Sequence, residues 1–352
     1  MNRLKILTVV GARPQFIKAA TLSRVLAGRR MTEIMVHTGQ HFDPEMSEIF
    51  FRELNIPEPA YHLEVHGGGH GEMTGRMLQA LEPVMQKAAP DAVVVFGDTN
   101  STAAGALCAA KLQIPIAHVE AGLRSFDRRM PEEINRVVAD HLSDILLCPS
   151  RTAVKNLAKE GITQNVHHVG DVMYDAALHA RTDISGGSHV LDRLKLAPRG
   201  YAVATVHRAE NTDDPVALAK VIGWLVARSE QHPVVLPLHP RTRQALARDN
   251  LALKGVRVID PVGYLDMMQL MKGAVAVYTD SGGMQKEAYF HRVPCITLRA
   301  NTEWVETIEA GWNRLWEGPD YVKPRRDIDD FGDGRAADSI VDIIADKLRS
   351  RA

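Results

Sequence analysis

The chain is 352 residues long, 24% charged and 45% hydrophobic; this is the make-up of an ordinary soluble protein, and the length suggests two domains, each able to bury its own core. Its 42 lysines and arginines against 43 aspartates and glutamates leave a net charge of −1, which excludes a global field that would draw it to nucleic acid or membrane. Cys108, Cys148 and Cys295 stand apart in apolar stretches, with neither disulfide nor metal-ligand spacing, and read as small buried hydrophobes in a reducing cytoplasm.

The opening MNRLKILTVVGARP reads as a strand, Lys5–Val10, and a turn, not as a signal peptide. No later apolar run approaches the ~20 residues that span a bilayer. At Gly11-Ala12-Arg13-Pro14-Gln15 the strand gives way to a helix whose free N–H groups and positive dipole end could take an anion. Arg13 and Lys18 add formal charge. The pattern is neither GxGxxG nor a Walker A loop, and a plain strand-to-helix turn with surface cations is the alternative. Strands Thr32–His37 and Ala92–Phe96 follow. After the second, Asp98 is either the N-cap of a helix Thr102–Leu112 or a carboxylate facing a cleft. Strand Ile114–Val119 then runs into HVEAGLRSFDRRMPEEINRVVADHLSD, which sets Glu120 and the pair Glu132-Glu133 among Arg124, Arg128, Arg129 and Arg136. Charge of this density straight after a buried strand is where open α/β sheets keep their ligand chemistry. Asp98 and Glu120, on successive strand ends, could share one pocket and divide acid and base roles. Strand Ile145–Cys148 completes the half.

The polar segment Arg181–Gly200 interrupts the alternation, which then restarts. Strand Tyr201–Thr205 ends near His207-Arg208, and Val234–Leu238 ends at His239-Pro240-Arg241. A lone histidine is usually structural; one at a strand terminus facing a cleft could instead donate to a diphosphate. Strand Val256–Ile259 and a helix around Asp266–Lys272 lead to strand Ala274–Tyr278 and then Asp280-Ser281-Gly282-Gly283. Two glycines let a backbone approach a ligand, and a helix N-terminus favours phosphate. Glu287, one turn into that helix, could accept both hydroxyls of a ribose, so the segment reads as a nucleotide site. Its plain alternative is a glycine-assisted turn with Glu287 complementing the dipole. Strand Pro294–Leu298 places Arg299, Thr302, Glu303 and Glu306 on the same edge. An amphipathic helix Ala336–Arg351 ends the chain. Continuous Val- and Ile-rich strands alternating with helices imply parallel sheets covered on both faces. The expected fold class is α/β, two Rossmann-like doubly wound domains with the active site in the cleft between them. The domains are set at 1–168 and 169–335, with 336–352 as a helix that could pack back on the first.

GARPQFIK, HTGQH, GDTNST, HVEAGLRS, MPEEINR, HRAEN, HPRTR, DPVGYLDM, TDSGGMQKEA and LRANTEW occur in one order between about Leu4 and Trp312. Together they make the chain resemble the non-hydrolysing UDP-N-acetylglucosamine 2-epimerases. The resemblance implies a fold like the B-type glycosyltransferases, a UDP-sugar substrate, a homodimer, and chemistry with no metal, no nicotinamide and no other cofactor. It implies that UDP leaves C1 as the C2 proton is removed, and that UDP adds back to the 2-acetamidoglucal as a proton arrives on the opposite face. On this likeness Asp98, Glu120 and Glu132 match the catalytic carboxylates and His207 the catalytic histidine. Glu133 beside Glu132 leaves open which of the two faces the sugar. Arg13, Lys18 and Arg136 correspond to sugar and diphosphate contacts, Ser281, Gly282 and Gly283 to the diphosphate cradle, and Glu287 to the ribose clamp. Tyr264 corresponds to a residue near the uracil, and Arg299 and His239 to further substrate contacts. With Gln40 and Arg76, His239 also matches part of an activating-substrate pocket.

Two departures stand out. The loop SFDRRMPEE replaces the longer, more aromatic SPWPEE type, and Phe42-Asp43-Pro44 follows Gln40-His41 where substrate-activated members differ. HFDPEMSEIFF, HGGGHGEMTGRM, HRAENTDDP and QKEAYF also resemble a sister group that epimerises UDP-2,3-diacetamido-2,3-dideoxy-glucuronate, for which Arg128 and Arg129 could pair with a C6 carboxylate. UDP-N-acetylglucosamine is placed ahead of that substrate. A UDP-sugar-dependent glycosyltransferase, a hydrolysing relative and an inactive UDP-sugar sensor are the other classes. Turnover without acceptor, release of free sugar, and absence of C2 hydrogen exchange discriminate them in turn.

Overall fold

All ten expected strands are present, and three short ones join them at the sheet edges. The computed structural model describes residues 3–29, 31–40, 56–187 and 189–350, with the backbone alone for 181–187. The expectations for Phe42-Asp43-Pro44 and for HFDPEMSEIFF therefore lie outside the described residues. Two compact units divide the chain: the first is Met1–Leu178 with Asp329–Ala352, the second His179–Ile328.

The first unit holds a sheet of β1 (Leu4–Val10), β2 (Met31–His37), β3 (Tyr61–His62), β4 (Ala92–Phe96), β5 (Ile116–Val119), β6 (Ile145–Cys148) and β7 (Val166–His168). The order is β3-β2-β1-β4-β5-β6-β7, and every pairing is parallel. β4, AVVVF, is buried at all five positions, as a strand covered by helices on both faces must be. Val93 and Val95 pack with Leu7, Val9, Met77, Leu81, Ala104 and Ile116 in one core. The direction of winding reverses between β1 and β4, and open α/β sheets bind ligands beyond the strand ends at such a switch point.

The second unit repeats the plan with β8 (Ala202–Thr205), β9 (Val234–Pro237), β10 (Arg257–Ile259), β11 (Ala276–Thr279), β12 (Cys295–Thr297) and β13 (Asn313–Leu315). Their order is β10-β9-β8-β11-β12-β13, again all parallel. The switch point falls between β8 and β11. All three cysteines are buried and free, and burial pushes the Cys108 thiol up to about 11.

The sequence boundary at 168/169 lies ahead of the structural division after Leu178, and the returning segment starts at Asp329, before the helix Ala336–Arg349. The reason is hydrogen bonding across the return. The Asp171 N–H donates to the Phe331 carbonyl at 3.0 Å, and Asp175 Oδ2 accepts from the Ala337 N–H at 2.8 Å. Both stitch the start of the helix Val172–Gly187 into the first unit. The returning helix also meets the helix Arg13–Gly28, beyond whose end Arg29 pairs with Asp338 and Asp342 at 3.3 and 3.2 Å.

Candidate active site

The turn after β1 is closed by one buried amide. Gln15 Oε1 accepts from the N–H groups of Gly11 and Ala12 at 2.8 and 3.1 Å. Its Nε2 lies within hydrogen-bond distance of the Phe96 carbonyl, Thr99 Oγ1 and Thr102 Oγ1 at 2.8, 2.9 and 3.0 Å. The N–H groups of Gly11 and Ala12, just ahead of the helix Arg13–Gly28, are therefore engaged by Gln15. Gly11 is required by contact: a Cβ would strike the hydroxyls of Thr38 and Ser101. Of the two cations, Arg13 is half-buried and Lys18 buried. Lys18 reaches across to Glu120 and forms an ion pair.

Thr99, not Asp98, caps the helix Asn100–Lys111. Its hydroxyl accepts from the Thr102 N–H, and the Thr102 hydroxyl accepts from the Thr99 N–H at 3.1 Å, a reciprocal box that satisfies two orphan donors. Asp98 is thereby released from capping, and its half-buried carboxylate pairs with Arg136. One strand over, Glu120 sits in the left-handed region at φ 74°, a conformation that costs a non-glycine residue on the order of 1–3 kcal/mol and that surrounding structure must enforce. Gly97, at φ 62°, brings its backbone against this pair, since a Cβ there would lie 3.1 Å from Glu120 Oε2 and 3.3 Å from Lys18 Nζ. Lys18, Glu120, Asp98 and Arg136 thus gather at the β4 and β5 ends as two carboxylate–cation pairs.

Between Glu132 and Glu133 the structure makes a clear distinction. Glu133 is buried, and its Oε2 accepts from the Ser125 N–H and hydroxyl at 2.9 and 3.0 Å. Its Oε1 takes the Phe126 N–H at 2.9 Å, and Arg136 Nη1 lies 2.8 Å from Oε2. Glu133 therefore clasps the loop that precedes the helix Pro131–Leu142, while Glu132, one residue earlier in the first turn of that helix, is half-buried. The loop itself carries exposed Phe126, at φ 59°, and exposed Arg128 and Arg129. Arg129 is engaged by Asp127 at 2.8 and 2.7 Å, which holds that half-buried carboxyl down at about 2.

In the second unit Asp280, fully buried after β11, collects three donors: the His207 N–H (3.2 and 2.9 Å to its two oxygens), the Arg208 N–H at 2.9 Å and Asn211 Nδ2 at 3.0 Å. The Nδ1 of His207 lies 3.3 Å from Asp280 Oδ1. The His239 ring is 5.5 Å from that of His207, and its Nδ1 accepts from the Arg241 N–H at 3.2 Å as the N-cap of Pro240–Arg248. Ser281 precedes the helix Gly282–Phe290. Gly282 is needed internally, because a Cβ would strike Glu303 Oε1, whereas the space beside Gly283 is open. Glu287 is buried in that helix, and Tyr264 is buried at the head of the helix Tyr264–Gly273. Arg299 is buried as well, with Glu210, Glu303 and Asn301 at 3.0, 3.0 and 3.2 Å.

His207, His239, Asp280 and Ser281 therefore meet at the switch-point edge of the second sheet, while Arg299 stands in its own ion-pair cluster beyond β12. Gln15 and Asp280 were not singled out from sequence. Their signals are an amide one turn after a strand-ending glycine and an aspartate directly ahead of Ser-Gly-Gly. Among the described residues no three His, Cys, Asp or Glu side chains cluster as a metal site requires, and no helix is long and apolar enough to cross a membrane.

The family model of UDP-N-acetylglucosamine 2-epimerases matches residues 24–345. The chain is 54% identical over 318 residues to the UDP-2,3-diacetamido-2,3-dideoxy-D-glucuronate 2-epimerase of Pseudomonas aeruginosa, covering 89% of this chain and 88% of that one. It is 41% identical over 361 residues to the UDP-N-acetylglucosamine 2-epimerase of Methanocaldococcus jannaschii, covering 97% and 99%. The crystal structure of the Methanocaldococcus jannaschii UDP-GlcNAc 2-epimerase in complex with UDP-GlcNAc and UDP superposes with a TM-score of 0.90 at 40% identity, over 97% of this chain and 99% of that one. With two parallel-sheet units carrying their charged groups at the switch points, and a match that runs through both of them, the chain belongs to the UDP-N-acetylglucosamine 2-epimerase family.

Proposed function

We propose that this chain is a non-hydrolysing epimerase that inverts C2 of a UDP-linked 2-acetamido sugar, converting UDP-N-acetylglucosamine to UDP-N-acetylmannosamine for surface polysaccharide synthesis. The observation that carries the reading is the pair of carboxylates on neighbouring strand ends, Asp98 and Glu120, each against a buried cation. Inversion through an eliminated intermediate needs one group to take the C2 proton and another to return it on the opposite face. In this reading Glu120, Asp98 and Glu132 serve those transfers, with Lys18, Arg13 and Arg136 balancing charge on the sugar side. His207 assists the departing diphosphate, Ser281 to Gly283 cradle it, and Glu287 holds the ribose. Tyr264, His239 and Arg299 are assigned as further nucleotide contacts. A homodimer in the cytoplasm is part of the same proposal, resting on the family likeness; light scattering on the purified protein tests the dimer.

A second reading takes UDP-2,3-diacetamido-2,3-dideoxy-glucuronate as substrate. It is favoured by the 54% identity to the Pseudomonas enzyme against 41% to the Methanocaldococcus one. Exposed Arg128 in the shortened loop offers a cation for a C6 carboxylate. Proton NMR in D2O with each sugar nucleotide separates the readings. Deuterium at C2 and growth of the manno epimer from UDP-N-acetylglucosamine supports the first. Exchange confined to the glucuronate substrate supports the second, and exchange in neither tube overturns both.

A further inference from the structure

A chain of buried charges behind Asp98 and Glu120 takes no part in the reaction as assigned. His118, in β5, is fully buried. Its Nε2 lies 2.8 Å from the Gly97 carbonyl and its Nδ1 lies 2.7 Å from Asp140 Oδ1. A carbonyl and a carboxylate both only accept, so with Asp140 ionised both ring nitrogens must donate and the ring is an imidazolium. Burial alone would raise the Asp140 carboxyl, but His118 and Arg124 hold it below its ordinary range. Arg124 Nη1 lies 2.7 Å from Asp140 Oδ2, and its other nitrogens reach both oxygens of Glu160 at 2.7 Å. The four formal charges cancel, with Glu160 at the exposed end of the chain.

The cluster grips both strand ends. Through His118 it fixes the Gly97 carbonyl, and Asp98 follows directly. Through Asp140 it holds the Gly122 N–H at 3.1 and 3.3 Å to its two oxygens, while Asn156 Nδ2 donates to the Gly122 carbonyl at 3.1 Å. That fastens the far side of the turn that keeps Glu120 in its left-handed conformation. Gly122, at φ 81°, admits no side chain there, since a Cβ would strike the Ala153 carbonyl.

We propose that His118, anchored by Asp140, is a positioning residue that sets the spacing between Asp98 and Glu120. The proposal rests on the reading of those two carboxylates as proton-transfer groups. Two substitutions divide the ring's contacts. His118→Gln places its amide near Nε2 and keeps the Gly97 bond; His118→Asn places it near Nδ1 and keeps only Asp140. Both remove the same buried charge, so they differ in geometry alone.

The experiment compares kcat for C2 inversion, UDP affinity by calorimetry and thermal stability in the two variants and the unaltered enzyme. His118→Asn is expected to lose about 10- to 100-fold in kcat, the scale of an ångström's misplacement. His118→Gln is expected to stay within about threefold of the unaltered enzyme, and UDP affinity to hold in both. Equal losses in the two, or losses that follow UDP affinity or stability, would overturn the proposal. If either variant fails to fold, Asn156→Ala takes its place, loosening the same turn without removing a charge. It must then lower kcat at unchanged UDP affinity, and an unchanged kcat overturns the idea. Lack of C2 exchange in the unaltered enzyme with either sugar nucleotide would instead sink the functional reading, before any variant is compared.

Discussion

Asp280 holds His207 at two points, accepting its backbone N–H at 2.9 Å and facing its Nδ1 across 3.3 Å. A fully buried carboxylate behind a half-exposed imidazole fixes which nitrogen points outward. Asp280→Asn keeps the size but turns one acceptor into a donor facing the His207 and Arg208 N–H groups. We expect kcat to fall by about tenfold or more, as for other carboxylates that orient a histidine, with a loss of thermal stability. Steady-state kinetics across pH 6 to 9 checks it, and an unchanged kcat would show that the contact is structural only.

Glu120→Gln removes a candidate proton carrier and leaves Lys18 without its carboxylate. Turnover should be lost while UDP affinity stays near that of the unaltered enzyme. Breaking a buried pair commonly costs up to about 3–5 kcal/mol, so the melting temperature should drop as well. A collapse of UDP binding in calorimetry would mean that Glu120 belongs to the nucleotide site instead.

Glu287 is buried one turn into the helix that follows Ser281. Glu287→Ala should weaken UDP binding by roughly 1–3 kcal/mol, the range for losing charged hydrogen bonds. An unchanged dissociation constant would remove the ribose assignment.

Asp175 ties the returning helix to the first unit, and burial pushes its carboxyl up to about 6, with the Ala337 and Ala336 N–H groups pulling the other way. A carboxyl raised in the folded state binds its proton more tightly there than in the unfolded chain. Its contribution is therefore greatest below the ordinary aspartate range and is lost as pH rises through about 6. Asp175→Asn retains an acceptor for Ala337 and removes the charge. It should flatten the pH dependence between about 4 and 6 and stabilise the protein at neutral pH by roughly 1–3 kcal/mol. Urea unfolding at pH 5 and pH 7.5 tests this; a variant no more stable at the higher pH refutes it.

The central strands were legible because burial on both faces leaves a continuous apolar run, as in AVVVF of β4. β3, β7 and β13 escaped notice because edge strands are partly exposed and short, with sequences such as YH and VHH. The strand ends that carry Asp98, Glu120, His207 and Ser281 were legible for the same reason as the strands. What sequence could not supply was the partner of each charge. Asp98 suits a cap as well as a site, and only the Thr99–Thr102 box decides it. Glu132 and Glu133 are alike until the helix phase turns the second onto Ser125 and Phe126. His118 and Asp140, far apart in the chain, meet only because β5 and the helix Pro131–Leu142 pack together.

The first unit is assembled from two stretches separated by the whole of the second. A ribosome therefore completes residues 179–328 before it makes the segment that finishes the first unit. Throughout that interval the nascent chain carries Asp175 without its Ala337 donor and the Arg13–Gly28 helix without its late neighbour. The unit that bears Asp98 and Glu120 is thus the first to begin folding and the last to be sealed. A premature stop just after residue 328 would spare the second unit and leave the first with an open seam.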